Sequence, residues 1–148
     1  MRSRDVGAVR AGMAVLCALD ILVGGWALLA PMAFHEYFPG GPFRWISPFG
    51  AYNMHLIADV GGAYLMMAAL LGMALARPER GTSVLALVAV AVQGVLHLGW
   101  HLSHLEMITV TGTLNAVGLV VVLAVAVVLP LLLLIPARRL WTAFGEIG

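Results

Sequence analysis

Residues 84–104 read VLALVAVAVQGVLHLGWHLSH, a run with no Asp, Glu, Lys or Arg that closes on His97, His101 and His104. About 20 mostly apolar residues suffice to carry a helix across the hydrocarbon of a bilayer. The run therefore predicts a membrane-spanning helix and, with it, an all-α fold. Residues three and four apart stack on one side of a helix, so the three imidazoles line a single face. An ionisable group inside a membrane segment is costly and marks a functional position.

The remaining sequence extends this reading. The chain of 148 residues is 62% hydrophobic and 10% charged, with a mean hydropathy of +1.01, far from the composition of a soluble domain. Its single cysteine, Cys17, excludes an internal disulfide and a cysteine zinc site, and reads as core filler. The net charge of +1 leaves no basic patch for nucleic acid.

Four stretches are long and apolar enough to span, at roughly 10–33, 50–76, 82–105 and 109–135. They predict one integral membrane four-helix bundle occupying residues 1–148. RPERG at 77–81 is a short turn signal. The long connection at about 34–49, where 35–49 read HEYFPGGPFRWISPF, reads as an irregular cap whose Trp45 and phenylalanines suit the headgroup level.

The chain has eight arginines and no lysine. Arg2, Arg4, Arg10, Arg77, Arg80, Arg138 and Arg139 fall on one side of the predicted membrane, and only Arg44 on the other. The positive-inside rule then puts both termini in the cytoplasm, in a cytoplasmic-type cell membrane, with 34–49 and 105–109 facing out. The first apolar run is longer than a secretory signal core, carries Asp20 and lacks a small-x-small cleavage site, so it reads as a mature helix. Ala68, Gly72 and Ala76 form a small-residue stripe, read first as packing within the bundle and second as a dimer face. Pro130 reads as a tolerated membrane proline near the cytoplasmic end of the last helix.

Depth follows from the helical rise. At about 1.5 Å per residue, His55 lies about 7 Å and Asp59 about 13 Å below the outer surface, and on the antiparallel third helix His101 lies about 6 Å and His97 about 12 Å. The levels match in pairs, which predicts that His55 and Asp59 face His97 and His101. His104 sits at the outer rim, and His35, Glu36 and Glu106 lie in or beside the outer loops. Asn53, Gln93 and Asn115 supply hydrogen-bonding groups nearby, as expected of residues that fix imidazole tautomers. Asp20 falls near mid-membrane, towards the cytoplasmic side, and reads as a hydrogen-bonding partner for a neighbouring helix or as the inner station of a proton path. The methionines are scattered and read as packing.

The stretches FPG at 38–40, Trp45, YNMHLIADVG at 52–61 and LHLGWHLSHL at 96–105 resemble a group of uncharacterised actinobacterial-type four-helix integral membrane proteins. Their pattern is an FPG loop, a tryptophan, YNEHLxxDVG and PHxxxHLxHL. The resemblance covers about residues 20–135 and implies the four-helix fold and the histidine and aspartate positions, without implying a reaction. Met54 and Leu96 replace the group's glutamate and proline, so no acid precedes His55 here.

Three functions fit these residues. The first is a transition-metal site with His55, Asp59, His97 and His101 as ligands and His104 or Glu106 at its mouth. Imidazole and carboxylate suit zinc, iron or copper without choosing among them, and an open position would allow action on a lipophilic substrate. The second is a bis-histidine haem for electron transfer. The third is a proton-linked transporter component, or a structural subunit, in a homo-oligomer or larger membrane assembly, with His55 and Asp59 as protonation sites. The sequence leaves open whether the chain is an enzyme.

Overall fold

The structure is a computed structural model that describes residues 3–104, 106–107 and 112–140. Its long helices are α1 (Ser3–Leu29), α3 (Met54–Ala76), α4 (Arg80–Ser103) and α5 (Thr113–Ala137), and a short α2 (Pro31–Tyr37) follows α1. A 3₁₀ turn at Ser47–Phe49 interrupts the loop before α3, and no strand occurs among the described residues. Four stretches of 23 to 25 residues, Val6–Leu29, α3, α4 and α5, are apolar enough to cross a membrane. At about 1.5 Å per residue they measure about 35–38 Å, ample for a hydrocarbon layer of about 30 Å. The chain is an all-α, four-helix membrane bundle.

Helix ends differ from expectation where local chemistry overrides hydropathy. α1 stops at Leu29, short of the expected 33, because Pro31 cannot donate to it and instead opens α2 at its first turn. The segment expected to be wholly irregular thus begins as a helix that carries His35 and Glu36. α3 starts at Met54 and not at 50, capped by Asn53, whose Oδ1 accepts the Leu56 N–H at 3.1 Å. The Thr82 hydroxyl reaches the carbonyls of Arg77 and Glu79 at 2.8 and 3.2 Å, closing the turn into α4. α5 runs unbroken through the buried Pro130. The expected start of this helix at 109, and most of the 105–109 connection, lie outside the described residues.

The long helices form a ring of antiparallel neighbours. α1 packs most extensively on α3 and α4 on α5, while α3–α4 and α1–α5 contacts close the ring. Close approach is set by glycines other than those of the predicted stripe. A Cβ on Gly24 would stand 2.8 Å from the Gly61 carbonyl oxygen, and one on Gly94 would stand 3.0 Å from that of Ala126. Gly72 has nothing within 4 Å and Ala76 is exposed. Of the stripe only Ala68 is buried, and its carbonyl accepts the Cys17 thiol at 3.4 Å.

The core is continuous at the end where α1 begins and α5 finishes, the terminal end, and divided at the other. At the terminal end Met13, Leu71, Leu87 and Leu134 bring all four long helices into one cluster. At the loop end Ala27, Phe34 and Ile57 form a cluster of α1, α2 and α3, while Leu119 and Leu123 of α5 gather Trp45, Phe49 and Leu98 into a second. The outward faces of the helices are largely apolar, as at Leu22, Met66, Leu85 and Val121.

Candidate functional site

The buried stripe of α4 runs Ser83, Leu87, Val90, Gly94 and His101, and His97, half-buried, falls in the same series. Steps of three and four hold one helical face toward the bundle. His97 and His101 therefore occupy positions that Leu87, Val90 and Gly94 fill lower on the helix. Their Nε2 atoms stand 3.1 Å apart and their rings stack at 4.9 Å between centroids. His101 is only 5% exposed. Phe49 packs edgewise on its ring at 5.3 Å, with Trp100 at 5.0 Å on another side. The His101 Nδ1 is buried with no hydrogen-bond partner among the described residues.

His104 belongs to the same series but follows the last residue of α4, so its side chain departs from the face. It stacks on Trp100 at 4.5 Å, and its Nδ1 lies 2.8 Å from the Trp100 carbonyl. A carbonyl oxygen only accepts, so Nδ1 carries the proton and, in the neutral ring, Nε2 keeps the lone pair. His35 uses the opposite tautomer: its Nε2 donates to the Gly50 carbonyl at 3.1 Å while the ring packs edgewise on Tyr52. That histidine fastens the loop.

The expected facing of two ligand pairs is not what the structure holds. His55 and Asp59 meet each other, Nε2 to Oδ2 at 3.5 Å, on a face where their side chains are 87% and 63% exposed. The cause is helical phase. α3 buries Ile57 and Gly61, and a displacement of two residues turns a side chain by about 200°. Equal depth placed the pairs level while rotation turned one of them away. Among the described residues no three of His, Cys, Asp or Glu gather into a group able to hold a metal.

The three amides expected near the imidazoles have other surroundings. Asn53 caps α3. Asn115 clamps the loop, accepting the Arg44 N–H at 3.2 Å and donating to the Arg44 carbonyl at 2.8 Å. Gln93 is half-buried one turn before His97. Arg44 adds to the clamp, since its guanidinium donates to the Gly41 and Phe43 carbonyls and lies over the Tyr37 ring at 5.2 Å. This latch puts Trp45 and Phe49 against α4 and α5. Only the loop's aromatic content hinted at it in the sequence.

Asp20 is the other buried polar residue of note. It continues the buried series Val9, Met13 and Leu16 on α1 at 7% exposure, and its Oδ2 has no hydrogen-bond partner among the described residues. With α1 ending at Leu29, Asp20 lies about 13 Å from the loop end of its helix and about 21 Å from Val6. It thus sits on the loop side of mid-span, opposite to the expectation drawn from a longer helix.

Comparison with protein-family models, with curated proteins and with solved structures finds no match.

Proposed function

We propose that the chain is a cytoplasmic-membrane protein, termini inside, that binds a transition metal through His97 and His101 near its extracytoplasmic surface. The observation that carries this reading is the convergence of the two Nε2 atoms at 3.1 Å beside a wall formed by Phe49 and Trp100. Two nitrogens bonded at about 2.0–2.1 Å to one tetrahedral ion stand about 3.3 Å apart. Histidines spaced by four on one helical face are a recurrent chelating pair. Imidazole suits zinc, iron or copper alike.

The donor set is open. Structural zinc takes four protein ligands and catalytic zinc typically three, whereas this pair supplies two. Positions are left for water, for a lipophilic substrate arriving from the adjacent leaflet, or for a second copy of the chain. A bis-histidine haem fits less well, because its two imidazoles must approach opposite faces of one iron. His97 and His101 stand side by side, and the exposed His55 faces away from them.

A second reading, a proton-linked carrier, draws on Asp20, because an unpartnered carboxyl within a span is where such carriers take up protons. Elemental analysis and an optical spectrum of untagged protein purified in mild detergent test the main reading. About one metal per chain without a Soret band supports it, a Soret band favours haem, and neither favours the carrier.

A further inference from the structure

At the terminal end Arg80 opens α4 and Arg138 follows α5. The two helices are packed neighbours, and these residues line one groove of about 550 Å³ with Gly81, Val84, Leu85 and Val88. From Arg80 to Val88 the groove follows α4 for about 12 Å. Leu85 and Val88 are exposed on it, and nothing lies within 4 Å of where a Gly81 Cβ would be. Both arginines are exposed, and neither forms an ion pair among the described residues. Glu79, the nearest acid in sequence, does not line the groove.

The groove has a cationic mouth at the end of the span and an apolar trough running into the depth of the hydrocarbon. A guanidinium offers a planar fork of donors matched to phosphate oxygens. Free phosphate would satisfy the mouth and leave the trough bare, whereas a phospholipid supplies both a phosphate and an acyl chain. Arg139, next to Arg138 in the chain, adds positive potential that favours an anionic headgroup over a zwitterionic one. We infer that this groove binds an anionic phospholipid from the leaflet at the terminal end. Its phosphate lies between Arg80 and Arg138, and an acyl chain runs along Val84, Leu85 and Val88.

Native mass spectrometry of the full chain in detergent, titrated with phosphatidylglycerol or with phosphatidylcholine of the same acyl chains, tests the inference. The expected result is retention of one phosphatidylglycerol per chain, not displaced by millimolar inorganic phosphate, with phosphatidylcholine lost. The double variant Arg80→Gln, Arg138→Gln should bind phosphatidylglycerol about tenfold or more weakly, while Arg77→Gln, which removes a charge outside the groove, should stay within about twofold. Equal retention of the two lipids, displacement by phosphate, or an equal loss in Arg77→Gln would overturn it. So would unchanged lipid retention accompanied by a dimer-to-monomer shift in the double variant, which would assign the groove to a second copy.

Discussion

The two ends of this bundle are built from the same helices and the same stepping pattern, yet only one is packed as a single core. At the terminal end the inward positions are Val9, Met13, Leu71, Leu87 and Leu134, and all four long helices share one cluster. Toward the loop end the same series on α1 and α4 arrive at Asp20, His97 and His101, and the apolar contacts split into two clusters. Polar groups at core positions cost stability unless they are paired. That they occupy the faces α1 and α4 turn into the bundle, and not the lipid faces, sets the loop end apart from the terminal end. In lipid, association rests on close packing and hydrogen bonds more than on burial of apolar surface, so the terminal end holds the bundle, and the proposed metal pair lies where packing demands least.

The contrast can be broken by substitution. Leu71→Ala or Leu87→Ala at the terminal end should cost about 2–5 kcal/mol through the cavity left behind, read as a fall in unfolding midpoint in detergent. His101→Ala should cost less, because it also removes a buried nitrogen that has no partner. A larger cost at His101 would mean that the loop end is a core after all. Where glycines set helix spacing, Gly24→Ala should destabilise by about 1–3 kcal/mol, since its Cβ would meet the Gly61 carbonyl at 2.8 Å. Gly72→Ala, with open space around it, should be neutral or slightly stabilising through helix propensity. Equal losses in both would restore the predicted stripe as the packing face.

Smaller effects sharpen the account of the loop. Asn115→Ala removes two hydrogen bonds to Arg44 and should cost about 1–2 kcal/mol. Faster amide exchange at Arg44 should accompany the loss, and unchanged exchange would show that the aromatic contacts alone hold the loop. The smallest effect belongs to His55 and Asp59, whose side chains pack little against the bundle, so Asp59→Asn should change stability by no more than about 0.5 kcal/mol. Acidification should release metal from the His97–His101 pair, because a protonated imidazole has no lone pair to donate. Metal retained at acid pH would point to ligands other than these two histidines.

Much of the fold was legible in the sequence. Apolar length alone located the four spans to within a few residues, while Pro31 set the end of the first and the capping Asn53 the start of the second. The site was half legible. His97 and His101 extend the step from Ser83 through Leu87, Val90 and Gly94, so their inward face follows from spacing. His55 and Asp59 were placed by depth, which fixes height along a helix and says nothing of rotation; the buried neighbours Ile57 and Gly61 carried the missing phase. The Arg44–Asn115 clamp joins residues 71 apart in the chain, and no local pattern announces such a contact. Asp20 was visible as a charge in a span, but its side of the midplane depended on where Pro31 ended the helix.

The central claim, that the His97–His101 pair is the working site, is tested most directly by metal stoichiometry in untagged wild-type, His97→Ala, His101→Ala and His55→Ala proteins purified alike. The account predicts about one metal per chain in the wild type and in His55→Ala, with loss from each of the other two variants while the fold persists. Absence of stoichiometric metal from the wild type, or its loss from His55→Ala as well, would contradict it.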